Sequence, residues 1–421
     1  MFDDYLSDAE IAALVAPERV LAAMIQVEKA LARVQATQGI ISQSAADEIV
    51  ASEPGIKVAA LAAGTARDGV PIPAFLALWR KGLSREAADA LHFGATSQDI
   101  LDTAHILCWR EAISVLRQRL SAVLDALTEQ ADRGAGLVMA GRTRAQIASP
   151  ITYGLRAARW AQPLIALEAQ APLVLDELAR VQLGGAVGAN LVLAPAGDAV
   201  TAALAKALDL RTSLPWHTDR TGINGAAQWA GQISQVLAKI AGDVLLVTRS
   251  EIAELRLSGG GGSSAMPHKQ NPVTPEAIVA LHRLGQGALT TLMDAPHLEE
   301  RDGAAWAVEW RAVPQVLIAT GAALQHAADM LARLEPDGAR MAAILSEHPG
   351  VWAELAALDL SASRPKSEAV AVVKQCLAAE MPLMDALAQA APDIDWPARL
   401  SPERIIAPCR DLAAAIIRER G

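Results

Sequence analysis

Apolar residues recur along most of the chain at steps of three and four. Val20, Met24, Val27, Leu31 and Val34 form one run. Leu116, Leu120, Val123, Leu124 and Leu127 form a second. Trp229, Ile233, Val236, Leu237, Ile240, Val244 and Leu245 form a third. This is the spacing of helices with one apolar face. The third run lies in a proline-free segment from about Gln228 to Glu254, which predicts a helix of about 40 Å at 1.5 Å per residue. Helices of that length belong to bundles. Alternating strand patterns are nearly absent, so the chain reads as all-α. Ser7 and Glu10 have the spacing of a capping box, and Ser401-Pro402 reads as an N-cap followed by a proline in the first turn.

Three regions follow from the same pattern. Residues 1–104 are broken by Pro54, Pro71 and Pro73 and hold shorter helices. Residues 105–335 carry the long ones. Residues 336–421, after Glu335-Pro336-Asp337-Gly338, return to short helices. They are read as an N-terminal helical domain, a central long-helix domain and a C-terminal helical domain.

Composition sharpens this reading. Of 421 residues, 52% are hydrophobic but only 3% aromatic. Small and straight side chains suit closely packed helices. Mean hydropathy is +0.24, which raises the question of a membrane. The best candidate stretch, Val181 to Ala196, is interrupted by glycines and by Gln182, Asn190 and Pro195, so no membrane span is expected. The start, Met1-Phe2-Asp3-Asp4, lacks the basic region of a signal peptide. Cys108, Cys376 and Cys409 have neither disulfide nor metal-ligand spacing. These features suit the reducing cytoplasm, with the excess apolar surface covered at a subunit interface. The net charge of −10 argues against nucleic-acid binding, which needs a basic face.

Four segments look chemical. Gly259 to Pro272 reads GGGGSSAMPHKQNP. Its glycines let a loop open and close over a ligand. Ser263 and Ser264 supply hydroxyls, and His268, Lys269 and Asn271 supply donors and a cation. A serine acts as a base only if its alkoxide is stabilised, which backbone N–H groups and Lys269 can do. A flexible linker is the alternative, but the residues after the glycines are too particular for one. Leu91 to Thr103 reads LHFGATSQDILDT. Thr96 and Asp99 have capping-box spacing, and a helix start with hydroxyls and Ser97 and Gln98 as donors suits a carboxylate. Alone it reads as an ordinary capped helix, and His92 as a structural histidine. Gly141 to Pro150 reads GRTRAQIASP. Arg142 and Arg144, with Gln146 beyond, form either a solvated face or a fork for an anion. His297 to Trp310 reads HLEERDGAAWAVEW. Its tryptophans read as packing residues, and Arg301 suits either packing or an anion. Pro215 to Arg220, PWHTDR, has the same mixed character.

Together these motifs resemble the fumarase/aspartase superfamily. GSSAMPHKQNP is similar to its signature loop, and HFGATSQDILDT and GRTRAQIASP fall in the order of its other two segments. The likeness spans essentially the whole chain. Within the superfamily it is strongest to the 3-carboxy-cis,cis-muconate cycloisomerase branch, through VQLGGAVG at Val181 to Gly188, PWHTDR and ERDGAAWAVEW. The resemblance implies an all-α homotetramer whose central long-helix bundle is shared, with each active site built from three subunits. It implies no metal and no organic cofactor. It makes Ser263 the base, with Lys269 as its catalytic companion. It matches Lys269 and Asn271 to positions that hold substrate carboxylate and steady the loop, and Thr96, Ser97 and Gln98 to the carboxylate-binding segment; Arg142, Arg144, Gln146, Ser264, Met266 and Arg301 are expected to bind the tricarboxylate substrate or order the site beside them.

One departure from the superfamily pattern is informative. Most members read GRTH in the third segment, and that histidine assists the leaving group. The cycloisomerase branch usually carries tryptophan, and this chain has Arg144. A carboxylate, with a pKa near roughly 4, leaves without protonation, whereas hydroxide and amines need an acid. The implied reaction is therefore cycloisomerisation. A 3-sulfo substrate stays open because Arg144 and Ile147 are unusual. An adenylosuccinate-lyase-like activity would need an acid that GRTR does not offer. A silent structural homologue is disfavoured by the intact Ser263, Lys269 and Asn271.

Overall fold

The computed structural model describes residues 3–262, 266 and 268–420. Ser263 and Ser264 lie outside the described residues. The chain is mostly helical, with three two-stranded sheets among the described residues. Five long helices dominate: α1 Ser97–Arg133, α2 Tyr153–Leu178, α3 Thr221–Val247, α4 Val273–Met293 and α5 Gly303–Ala332. The strands are β1 Val138–Thr143, β2 Gln146–Thr152, β3 Leu255–Leu257, β4 Gly261–Gly262, β5 Gln270–Asn271 and β6 Leu334–Pro336.

The chain divides into two compact units. The first holds residues 1–119, 170–235 and 280–324. Its core includes Ile11, Phe75, Ile113, Leu116, Val200, Ile233 and Val316, all with no exposed surface. The second holds residues 120–169, 236–279 and 325–421. Leu120, Leu124, Met139, Tyr153, Leu164, Val244 and Met330 are sealed in its core. A satellite cluster near its end packs Leu360, Val373, Leu387 and Trp396.

Several expectations meet refinements. The helix expected from Gln228 to Glu254 runs Thr221–Val247 instead. Asp219 accepts from Thr221 N and Oγ1 at its start, and Ala253 turns into the left-handed region beyond its end. This helix also passes the length and hydropathy test for a membrane span, with half of its most apolar window buried within the chain. This differs from the expectation that no stretch of the chain is apolar and long enough to span. The expected Ser7 cap is replaced by Asp8, whose Oδ1 accepts from Ile11 N at 2.9 Å. Its Oδ2 pairs with Arg119, an anchor that a serine cannot supply. The last long C-terminal helix starts at Glu403, one residue after Pro402, rather than with Ser401 as its cap.

The antiparallel hairpin β1–β2 was not expected. Its residues Val138 to Gly141 are buried in succession, so the strand shows no alternation to read. A bulge between Ala140 and Arg142 shifts its register. The two-residue turn, Arg144-Ala145, has both φ angles positive, at 50° and 63°. That is a turn normally made by Asn-Gly.

Candidate active site

The first unit assembles the segment around Thr96. The capping pair forms in part: Asp99 Oδ2 accepts from Thr96 N at 2.9 Å, and α1 begins at Ser97. Thr96 Oγ1 is not the reciprocal cap. It accepts from Arg301 Nη2 at 3.0 Å, and the same nitrogen donates to Ala186 O at 3.0 Å. Arg301 Nε donates to Gln98 Oε1 at 3.0 Å. Gln98 is fully buried, and its amide donates to Asp102 Oδ2 and His217 O. Arg301 thus joins three chain segments. Ser97 stands half-buried at the first turn.

Beneath this surface lies a sealed network that the sequence motifs did not announce. Asp99 accepts from Gly184 N at 2.9 Å and Gly185 N at 3.0 Å, and its Oδ1 lies 3.0 Å from His217 Nε2. A Cβ on Gly184 would stand 2.8 Å from Pro215 Cβ and 3.1 Å from His217 Cε1. Only glycine admits that approach. Arg220 bridges Asp102, at 2.7 and 3.2 Å, and Glu309, at 2.8 and 2.5 Å. Its guanidinium stacks 4.9 Å over Trp216. Trp306 Nε1 donates to Asp102 Oδ1 at 2.8 Å, so this tryptophan packs and also bonds. Burial raises the Asp102 pKa, but Arg220 and the Trp306 bond outweigh it and hold it below the usual range. Burial pushes neighbouring His105 down to about 4 against the pull of Asp102 and Glu309. His297 Nε2 lies 3.0 Å from Glu309 Oε1 but is not aligned for a hydrogen bond.

His92 is structural, as its residue type suggested. It sits at φ +70° with Nδ1 2.6 Å from Glu28 Oε1. Burial alone would lower its pKa, but Glu28 raises it above the ordinary value.

The second unit holds the other two segments. Arg142 Nη1 donates to Glu254 Oε2 at 2.5 Å, and Glu254 is fully buried. Arg144 is exposed at the hairpin tip, and Gln146 is exposed opposite Thr143. β4 and β5 close the glycine-rich loop as a ladder, pairing Gly261 with Asn271 and Gly262 with Gln270. Lys269 N donates to Met266 O at 2.9 Å, and both side chains are exposed. His268, Lys269 and Asn271 line a cavity of about 570 Å³ with Arg249 and Arg256.

The residues expected to form one site therefore fall into two sets. Thr96, Ser97, Gln98 and Arg301 lie in the first unit. Arg142, Arg144, Gln146, Met266, Lys269 and Asn271 lie in the second. Sequence reasoning missed Asp99, Asp102, His217, Arg220 and Glu309 as one network. The available signal was a cluster of charges in an apolar, aromatic-poor chain, in HTDR, QDILD and WAVEW.

A family model described as a lyase matches residues 5–283. The chain belongs to that family, within the fumarase/aspartase superfamily. It is 34% identical to a 3-carboxy-cis,cis-muconate cycloisomerase of Bradyrhizobium diazoefficiens, over 96% of this chain and 92% of that one. It is 35% identical to a nitrosuccinate lyase of Streptomyces davaonensis, over 80% of this chain and 74% of that one. Among solved structures, the 3-carboxy-cis,cis-muconate lactonizing enzyme of Pseudomonas putida superposes with a TM-score of 0.92 at 28% identity. That match covers 100% of this chain and 98% of the other.

Proposed function

We propose that this chain interconverts 3-carboxy-cis,cis-muconate and a carboxymuconolactone, in the breakdown of aromatic acids through protocatechuate. The observation that carries the reading is Arg144 at the exposed tip of the β1–β2 hairpin, where most of the superfamily places a histidine acid. Arginine stays protonated and cannot act as an ordinary general acid. The reaction that tolerates this is one whose leaving group is already a stable anion. In lactone opening the departing carboxylate keeps its electron pair, and the proton is removed from the carbon alpha to another carboxylate. Ser263 takes that proton. In the lactonising direction the internal carboxylate adds to the ring-closing carbon and Ser263 returns the proton. Catalysis is then orientation of an internal nucleophile plus charge stabilisation.

Lys269 stabilises the Ser263 alkoxide. Thr96, Ser97, Gln98, Arg142, Arg144, Gln146, Ser264, Met266, Asn271 and Arg301 bind carboxylates or order the site. The buried Asp99–His217 and Asp102–Arg220–Glu309 contacts support this by fixing the Arg301 surface. The active form is a cytoplasmic homotetramer, with three helical domains meeting near residues 104 and 335 and each site drawing on three subunits. No metal or organic cofactor takes part. Ser263→Ala tests the assignment: turnover disappears while light scattering still gives a tetramer. Unchanged turnover would remove Ser263 as the base. The ratio of kcat/KM for the carboxy and sulfo substrates decides the third substituent.

A further inference from the structure

The glycine-rich loop has an entry stem and an exit stem, and one side chain of the second unit bonds to both. On the entry side, β3 pairs with β6 and ends with Leu257 opposite Leu334. On the exit side, β5 leads into α4, which begins at Val273. Arg333 lies in the chain between α5 and β6. Its carbonyl accepts from Ser258 N at 3.2 Å and from Ser258 Oγ at 3.3 Å. Its Nη1 donates to Ser258 O and Gly259 O, both at 3.0 Å. Its Nη2 donates to Thr274 Oγ1 at 2.7 Å and pairs with Asp329.

Exposure decides which of these contacts matters. The Arg333 and Asp329 side chains are 26% and 55% exposed, so their ion pair adds little by itself. It aims the guanidinium from one helical turn back. The bonds to Ser258, Gly259 and Thr274 differ in kind, because they join the two ends of one loop. Thr274 is buried. Gly259 sits at φ +68°, and a Cβ there would stand 3.2 Å from Arg333 Nη1. Glycine admits the guanidinium to both carbonyls. The planar fork of arginine reaches several acceptors in fixed directions, whereas a lysine ammonium is a point charge on a flexible stem.

Tying the ends of a segment restricts everything between them. The entry stem runs on into β4, which pairs Gly261 with Asn271 and Gly262 with Gln270. Lys269 directly precedes that ladder's return strand. We propose that Arg333 is a positioning residue for the glycine-rich loop. It holds the two stems at one separation and so keeps Lys269 and Asn271 in register. The effect on turnover rests on the proposed role of Lys269 and Ser263, whereas the clamp itself rests on the bonds to the stems.

Amide hydrogen exchange of the full-length protein, read by mass spectrometry, tests the clamp in R333Q, R333K and T274V. In R333Q, peptides covering 258–262 and 270–274 are expected to exchange about tenfold or more faster, while peptides from the core of the same unit keep their rates. R333K is expected to fall between R333Q and the parent. T274V keeps the guanidinium and loses one acceptor, so it shows a smaller rise in the same peptides, and it carries the test if R333Q does not fold. With 3-carboxy-cis,cis-muconate, kcat of R333Q is expected to fall about ten- to a hundredfold, with a smaller change in KM, as for a misplacement of about 1 Å. Stem exchange within about twofold of the parent overturns the proposal. So does a rise spread evenly over the unit, which marks a purely structural arginine. Faster stem exchange with unchanged kcat also overturns it. A parent protein that leaves the muconate unconsumed counts against the proposed reaction instead, and the exchange comparison then decides the clamp alone.

Discussion

Replacing Arg220 by methionine strikes the most heavily bonded charge in the first unit. Its side chain is 4% exposed, and those of Asp102 and Glu309 are 1% and 3% exposed. The variant leaves two carboxylates buried without their cation and removes five hydrogen bonds, four to those carboxylates and one to His217 O. Methionine roughly fills the space of the aliphatic stem, so the effect is mainly electrostatic. Breaking one buried pair costs about 3–5 kcal/mol, a large part of a stability of about 5–15 kcal/mol. The assay is the urea unfolding midpoint at neutral pH, read by tryptophan fluorescence, since Trp216 and Trp306 touch the network. The pH dependence carries a sign. In the parent protein the depressed Asp102 pKa gives stability that is present above its ordinary value of 3.8. That stability is lost as pH falls through the lower folded value. Without Arg220, burial dominates and raises the carboxyl pKa, so the variant regains part of its deficit on acidification. A loss below about 1 kcal/mol, the range of exposed pairs, would refute the reasoning. So would a deficit that widens toward acid.

Other outcomes follow from single contacts. His105, with its pKa depressed to about 4, supports the fold above pH 6.5. That support fades as pH falls toward 4, so a His105→Phe variant should show a flatter acid limb in its melting temperature, and an unchanged limb would contradict this. His92 has the opposite sign: its raised pKa makes the Glu28 contact fully effective below its unfolded value of 6.5. The contact weakens as pH rises through the folded value, so the stability lost in His92→Asn should shrink at alkaline pH. Gly184→Ala drives a methyl group against Pro215 and His217. It should cost about 1–3 kcal/mol and raise KM for an anionic substrate, whereas a silent Gly184→Ala would mean the turn yields freely. Ala145→Gly relieves a left-handed alanine at φ +63° and should raise stability by up to about 1 kcal/mol, measured as a shift in melting temperature.

The long helices were legible because one face of each is buried, which writes the helical period into the chain. Pro17–Thr37 and the second half of α1 match the apolar runs that predicted them. Boundaries were less legible, since α3 starts seven residues before Gln228 under the control of Asp219. The β1–β2 hairpin was hidden because its first strand is buried in an unbroken run and its turn lacks Asn or Gly. The glycine run read only as a free loop, yet Gly261 and Gly262 are strand residues paired with Asn271 and Gln270. The motifs themselves stood out by residue type. Their support did not, because Arg220 lies 118 residues from Asp102 and 89 from Glu309. No local pattern encodes a contact across that separation.

The central claim is that this chain makes and breaks a carbon–oxygen bond within an anionic diene, moving one proton alpha to a carboxylate. Incubating the protein with 3-carboxy-cis,cis-muconate in D2O and following the products by ultraviolet absorbance and proton NMR tests it most directly. The account predicts loss of the conjugated-diene absorbance, a new lactone C–O bond and one deuterium on the carbon alpha to a carboxylate. Diene absorbance that stays unchanged with catalyst in excess would contradict it.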